Sequence, residues 1–226
     1  YIHFLRGYAY YHILMTCGPA ILVGDEIFES NLDGPAYNTY RATYDETVEY
    51  ICSELETAAA YLPLKASIAQ FERPTKGAAY ALIARLRLHA ASPLFNGTST
   101  ARLYFGNWKR TYDKEYYINQ NYSEEKWALA AAACKRVIDM NVYELFTVSK
   151  DQNTPQLPAG VPTENFPNGA GGIDPFKSYS HMFTGDEPFK NNNEVIWGRI
   201  SEEVKGYTQQ SFPQYMGGYN GMGLTQ

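Results

Sequence analysis

The residues with most to offer a ligand lie between 104 and 122. Tyr104, Trp108, Tyr112 and Tyr116 supply flat rings, and Asn107, Asp113 and Asn119 place amides and a carboxylate between them. Rings present apolar faces, while amides and acids direct hydrogen bonds. Such a mixture suits recognition of a sugar, whose faces need rings and whose hydroxyls need directed polar groups. The competing use of the same rings is to pin their loop to the helices. Tyr215 and Tyr219, in Gly-rich surroundings, are weaker candidates of the same kind. Trp197 sits in a strand-like apolar run and reads as core.

Catalytic arrangements fare poorly. Acids stand side by side at Glu124-Glu125, Asp186-Glu187 and Glu202-Glu203. Sequence neighbours diverge on a helix, so solvation or dipole work is expected of them, not acid–base chemistry. The histidines His3, His12, His89 and His181 form no metal-binding spacing. His89 reads as a satisfied, half-buried side chain. No Gly-x-Ser-x-Gly elbow is present, and Gly169-Ala-Gly-Gly172 lacks the lysine of a phosphate loop. No catalytic residue, metal ligand or cofactor is expected. Asn96-Gly-Thr98 and Asn121-Tyr-Ser123 fit the glycosylation triplet, which is common by chance.

The positioning elements are helices. The chain has 226 residues and a formal charge of -5, which argues against nucleic acid or anionic lipid as the main partner. Charged residues make up only 19%, while Tyr (20) outnumbers Phe (11), a bias toward wet recognition surfaces. Cys17, Cys52 and Cys134 lack metal-ligand spacing and read as small buried residues. No apolar run reaches membrane-spanning length. The chain opens inside a helical pattern without an initiator Met, and reads as a piece of a longer polypeptide.

Residues 73–97 organise the rest. Thr75 caps a helix and Pro93 stops it. Ala79, Leu82, Leu86 and Ala90 share one face, and Ala78, Ala81, Ala84 and Ala91 add small residues nearly all round, so neighbours can approach closely. Residues 1–17 form a helix with Phe4, Tyr8, Tyr11 and Met15 on a face. Thr43-Tyr-Asp-Glu46 is a capping box that opens a helix with Val48, Ile51, Leu55 and Leu62 inward and Glu46, Glu49, Glu54 and Glu56 on the solvated side. Ser123 caps a fourth helix over 123–140, with Trp127, Ala131, Cys134 and Ile138 as its buried stripe. Tyr143–Phe146 docks back on the helices. Residues 18–42 and 94–122 read as long loops.

The starts of the second and third helices lie about one tetratricopeptide period apart. Pairing 1–17 with 43–62, and 75–92 with 123–140, gives an all-α body over 1–146 with loop inserts. Residues 147–226 read as an irregular, Pro- and Gly-rich region packed on that body, with a short strand near 195–200 as the minor β content.

Arg73-Pro-Thr-Lys-Gly-Ala-Ala, with Ala-Arg85 and Ala-Ser-Pro-Leu-Phe-Asn-Gly97, resembles the core signature of the SusD/RagB-like outer-membrane proteins of Bacteroidetes. Phe4–Tyr11, Tyr44–Ile51 and Asn193–Trp197 are similar to that family's flanking segments, in the same order. The resemblance implies tetratricopeptide-like helix pairs and a lipid-anchored cell-surface protein over a SusC-like TonB-dependent transporter. It implies that the protein binds a nutrient, usually an oligosaccharide, for polysaccharide utilisation. The anchor would lie outside this sequence, and the membrane would be met only through it. On this reading the glycan candidates are Tyr104, Asn107, Trp108, Tyr112, Tyr116, Tyr215 and Tyr219. A tetratricopeptide-type interaction scaffold, or a RagB-like peptide binder, is the alternative.

Overall fold

The computed structural model describes residues 1–31, 33–37, 39–184, 192–198 and 204–219. Seven α-helices occur among them: α1 Ile2–Cys17, α2 Tyr44–Tyr61, α3 Lys76–Ala91, α4 Ser99–Phe105, α5 Glu124–Asp139, α6 Pro175–Thr184 and α7 Val204–Ser211. Among the described residues β structure is confined to three isolated bridges, Lys109–Tyr116, Ser149–Ile173 and Asn165–Gly171. The strand expected near 195–200 does not form over 195–198, which carry no ladder. Residues 199 and 200 lie outside the described residues, as do Asp186-Glu187 and Glu202-Glu203.

Local chemistry sets the two central helices. At α2, the Thr43 hydroxyl accepts from the Glu46 N–H while the Thr43 N–H donates to the Glu46 carboxylate, the complete capping box. At α3, Thr75 accepts from the Ala78 N–H. α1 packs on α2, α2 on α3, and α3 on α5, so the helices stand in that order as a row of antiparallel neighbours. The core lies where the row is thickest, with Phe4, Ile51, Leu55, Ala79 and Leu86 fully enclosed. A Cβ at Gly77 would overlap the Tyr143 ring, so glycine lets the segment after α5 dock on the start of α3.

α5 is rotated from its expected setting. Among its residues Ala130 is buried and Ala133, Cys134 and Val137 are half-buried, whereas Trp127 and Ala131 are exposed and Ile138 is 72% exposed. The stripe that meets α3 is offset by about one residue toward the small alanines. Ala130 and Ala133 against the alanines of α3 allow closer approach than Trp127 would. Ser123 makes no side-chain cap; buried Asn96 holds its backbone instead, Nδ2 donating to the Ser123 carbonyl (2.9 Å) and Oδ1 accepting from the Ser123 N–H (2.9 Å).

Other expectations need adjustment. Cys52 is buried and Cys134 half-buried, but Cys17 is exposed. Glu46, Glu49, Glu54 and Glu56 are engaged: they pair with Arg110, Arg87, Arg6 and Arg136, tying α2 to its neighbours. The 94–122 stretch holds α4 and a short hairpin. Residues 147–184 carry α6, whose first turn is capped by the enclosed Asp174 through Lys177 N–H (2.9 Å). Trp197 sits edge-on to Phe4 and Tyr8 at 5.2 and 5.3 Å and donates its indole N–H to the Glu72 carbonyl, so the ring expected in the core packs half-buried against it.

Candidate functional site

The ring-bearing segment folds back at 111–114. The Arg110 N–H donates to the Glu115 carbonyl (2.7 Å) and the Tyr117 N–H to the Trp108 carbonyl (3.1 Å). Lys114 takes φ 64° at the turn. The hairpin is moored to the protein body by its second arm, where the Tyr117 carbonyl accepts from the Tyr44 N–H (2.8 Å) at the start of α2.

Arg110 locks it there. Only 6% exposed, its guanidinium donates to Glu46 at 3.0 Å, to Asp113 at 3.2 Å from Nε, and to Glu115. The Thr43 backbone N–H, then the Thr43 hydroxyl and Arg110, hold the Glu46 carboxyl below its usual range against partial burial. At Asp113 burial opposes ionisation, but the Glu115 N–H and Arg110 outweigh it and keep that carboxyl low as well.

Strand alternation sorts the rings onto two sides. Trp108 turns toward the body, with centroids 4.7 Å from Tyr117 and 6.1 Å from Phe105, and is 38% exposed. Tyr112, at the tip, packs on Tyr40 (4.2 Å) and beneath the Arg110 guanidinium (5.2 Å). Tyr116 faces the other side, with the Lys109 ammonium 4.2 Å above its ring. Tyr104 on α4 is 69% exposed beside Phe105, and Asn107 is exposed. Among the described residues no ring contact joins Tyr104, Trp108, Tyr112 and Tyr116 to one another, so they surround the hairpin without forming one flat platform. Tyr215 and Tyr219 are exposed on the chain after α7; Tyr219 N–H donates to Gln209, and no described contact brings either to the hairpin.

A cleft of about 620 Å³ opens between the start of α2 and the hairpin's second arm. Thr43, Asp45, Glu46, Glu115, Tyr116, Asn119, Gln120 and Asn121 line it. Of the residues singled out for binding from sequence, Tyr116 and Asn119 are in this wall. The amide run 119–121 was the visible signal for it; the contribution of α2 was not, because it depends on the mooring of the hairpin. A narrower groove of about 340 Å³ between α2, α3 and α5 is spanned by the Arg87–Glu49 and Arg136–Glu56 pairs, and burial pushes its Cys52 thiol up to about 12, an inert state.

No cluster of three or more His, Cys, Asp or Glu among the described residues has metal-binding geometry. No helix among them is long and apolar enough to cross a membrane. His89 accepts or donates a hydrogen bond with the Tyr44 hydroxyl at 2.8 Å and rests on Phe95, the satisfied half-buried role expected of it.

Residues 2–88 match the SusD-like family described as "starch-binding associating with outer membrane". The solved structure of BT4246 superposes with a TM-score of 0.64 at 26% identity, covering 88% of this chain. A selenomethionine structure of BT4246 gives a TM-score of 0.61 at 24% identity over 88% of this chain. A SusD-like protein (BF3747) from Bacteroides fragilis shares the fold, with a TM-score of 0.54 at 20% identity over 91% of this chain. The chain spans 34%, 33% and 27% of those three solved chains, about a third of their length. No curated protein matches it by sequence. The all-α architecture is the one the helix pairing predicted.

Proposed function

We propose that this chain belongs to the SusD-like family and is part of a non-catalytic, cell-surface glycan-binding lipoprotein that passes oligosaccharides to a SusC-like TonB-dependent transporter. The reading is carried by the hairpin moored on α2, which holds exposed rings beside a wall of amides and carboxylates. Sugars need that pair of chemistries: ring faces for their C–H surfaces and directed polar groups for their hydroxyls. The family's description as starch-binding and outer-membrane-associated supports the substrate class and location. Tyr104, Asn107, Trp108, Tyr112 and Tyr116 remain the proposed contacts around the hairpin, with Tyr215 and Tyr219 as a separate set. Isothermal titration of the chain against neutral, acidic and amino oligosaccharides tests it. Binding that weakens in Tyr112→Ala and Trp108→Ala is expected; no binding to any sugar refutes the glycan reading.

A protein-interaction role has its own observation. Trp127, Ala131 and Ile138 form an apolar stripe on the outer side of α5. We assign it to contact with the transporter or a further protein element. Ile138→Asp should weaken association with the transporter and leave sugar binding unchanged.

A further inference from the structure

We infer that the cleft between α2 and the hairpin is a sugar subsite that accepts neutral oligosaccharides and rejects uronate-bearing or sulfated ones. The inference rests on the glycan reading above and adds to it the site and the charge of the ligand.

The cleft wall is rich in acceptors. Asp45, Glu46 and Glu115 line it together with the side chains of Asn119, Gln120 and Asn121. Arg110 and Lys126 balance part of that charge from behind the wall, neither being among the lining residues, and Lys109 sets its ammonium 4.2 Å from the Tyr116 ring. Arg110 is buried beneath the hairpin, and Lys126 is held by Asp45 (2.6 Å) and the Phe95 carbonyl (3.1 Å). Each carboxylate meets its cation with one oxygen only. Asp45 uses Oδ1, and Glu46 and Glu115 use Oε2. No described residue bonds to the second oxygens, Asp45 Oδ2, Glu46 Oε1 and Glu115 Oε1.

A ligand matched to this wall brings donors and no negative charge. Sugar hydroxyls donate to carboxylate oxygens in short charge-assisted bonds. Gln120 is held in the wall by its own amide, whose Nε2 donates to the Ile118 carbonyl (2.7 Å). Tyr116 brings a ring to the same wall. The volume of about 620 Å³ falls within the range of small-ligand sites, roughly 300–1,000 Å³. A carboxylate or sulfate on the sugar would enter beside Asp45 and beside Glu46 and Glu115, which share one guanidinium with Asp113, so negative charge exceeds positive there and repulsion acts against binding.

The test is a titration of the full chain with matched oligosaccharides that differ only in charge: neutral, uronate-bearing and sulfated. The neutral sugar should bind about tenfold more tightly than its uronate counterpart at low salt, with the gap narrowing as salt rises. Asn121→Ala, whose side chain makes no described internal bond, should weaken the neutral sugar about fivefold. Asn121→Asp, nearly identical in shape, should widen the discrimination. Equal affinity for neutral and uronate sugars overturns the inference. So does neutral binding that Trp108→Ala weakens while Asn121→Ala and Tyr116→Ala do not, an outcome that leaves the glycan reading standing. Failure of every oligosaccharide to bind removes both.

Discussion

Arg110 donates to Glu46 at 3.0 Å across 64 residues of sequence, and that contact decides where the ring-bearing hairpin sits. Glu46 is already fixed by the Thr43 backbone at the first turn of α2, so the guanidinium meets an immobile anchor. Arg110→Ala should free the hairpin from α2. The loss is expected to be about 1–2 kcal/mol, because the three carboxylates keep much of their hydration. Urea melts of the variant should shift to lower midpoints, and protease should cut first within 106–118.

Gly97 is a second fixed point. It has φ 58°, and a Cβ there would overlap the backbone of Asn121 and Tyr122. Gly97→Ala therefore meets both a left-handed backbone and a filled space. A loss of about 1–3 kcal/mol is expected, read as a lowered urea midpoint with unchanged slope. Since Asn121 lines the cleft, sugar affinity should fall in the same variant.

What the sequence reveals tracks how local each determinant is. The caps of α2 and α3 are written within four residues, and both are found as expected. The pairing of α1 with α2 and of α3 with α5 followed from helix lengths and spacing. α6 was missed although Asp174-Pro175 is an N-cap followed by a first-turn proline, a readable start hidden in a Pro-rich stretch. The hairpin was missed because its turn places Lys114, not Gly or Asn, at positive φ. The rings were legible as candidates, but their division between two sides is a property of that hairpin. The cleft is half built from Asp45 and Glu46, and only tertiary packing brings these to Asn119–Asn121.

The setting of α5 makes a paired prediction. Leu86 is fully enclosed, whereas Ile138 stands out on the open side of α5. Leu86→Ala should cost about 2–5 kcal/mol, the usual range for an emptied core position. Ile138→Ala should stay within about 0.5 kcal/mol, as for other surface changes. Equal losses from both would mean that α5 turns its Trp127–Ile138 stripe inward in solution.

Acid should loosen the region after α5 through Asp174. This carboxylate is enclosed and accepts from the Lys177 N–H and the Thr154 hydroxyl, each at 2.9 Å. The Lys177 N–H, against the effect of burial and with help from Thr154 and the Lys177 charge, holds it below the usual carboxylate range. A folded value below the unfolded one, about 3.9, means that the unfolded chain takes up the proton first. Its stabilisation is therefore complete above the ordinary Asp range and is lost as pH falls through the folded value. Glu46 adds loss in the same direction, since the Thr43 N–H depresses it too. His89, lowered by burial, also disfavours the folded state as the pH drops below its ordinary value of 6.5. Thermal melts stepped from about pH 7 to about pH 3 should show a falling midpoint. Asn is also a strong N-cap residue, so Asp174→Asn should leave neutral stability nearly intact. It should reduce the part of the acid-induced fall that arises below about pH 4. A pH profile unchanged by the substitution would show that Asp174 does not link the 147–184 region to acid.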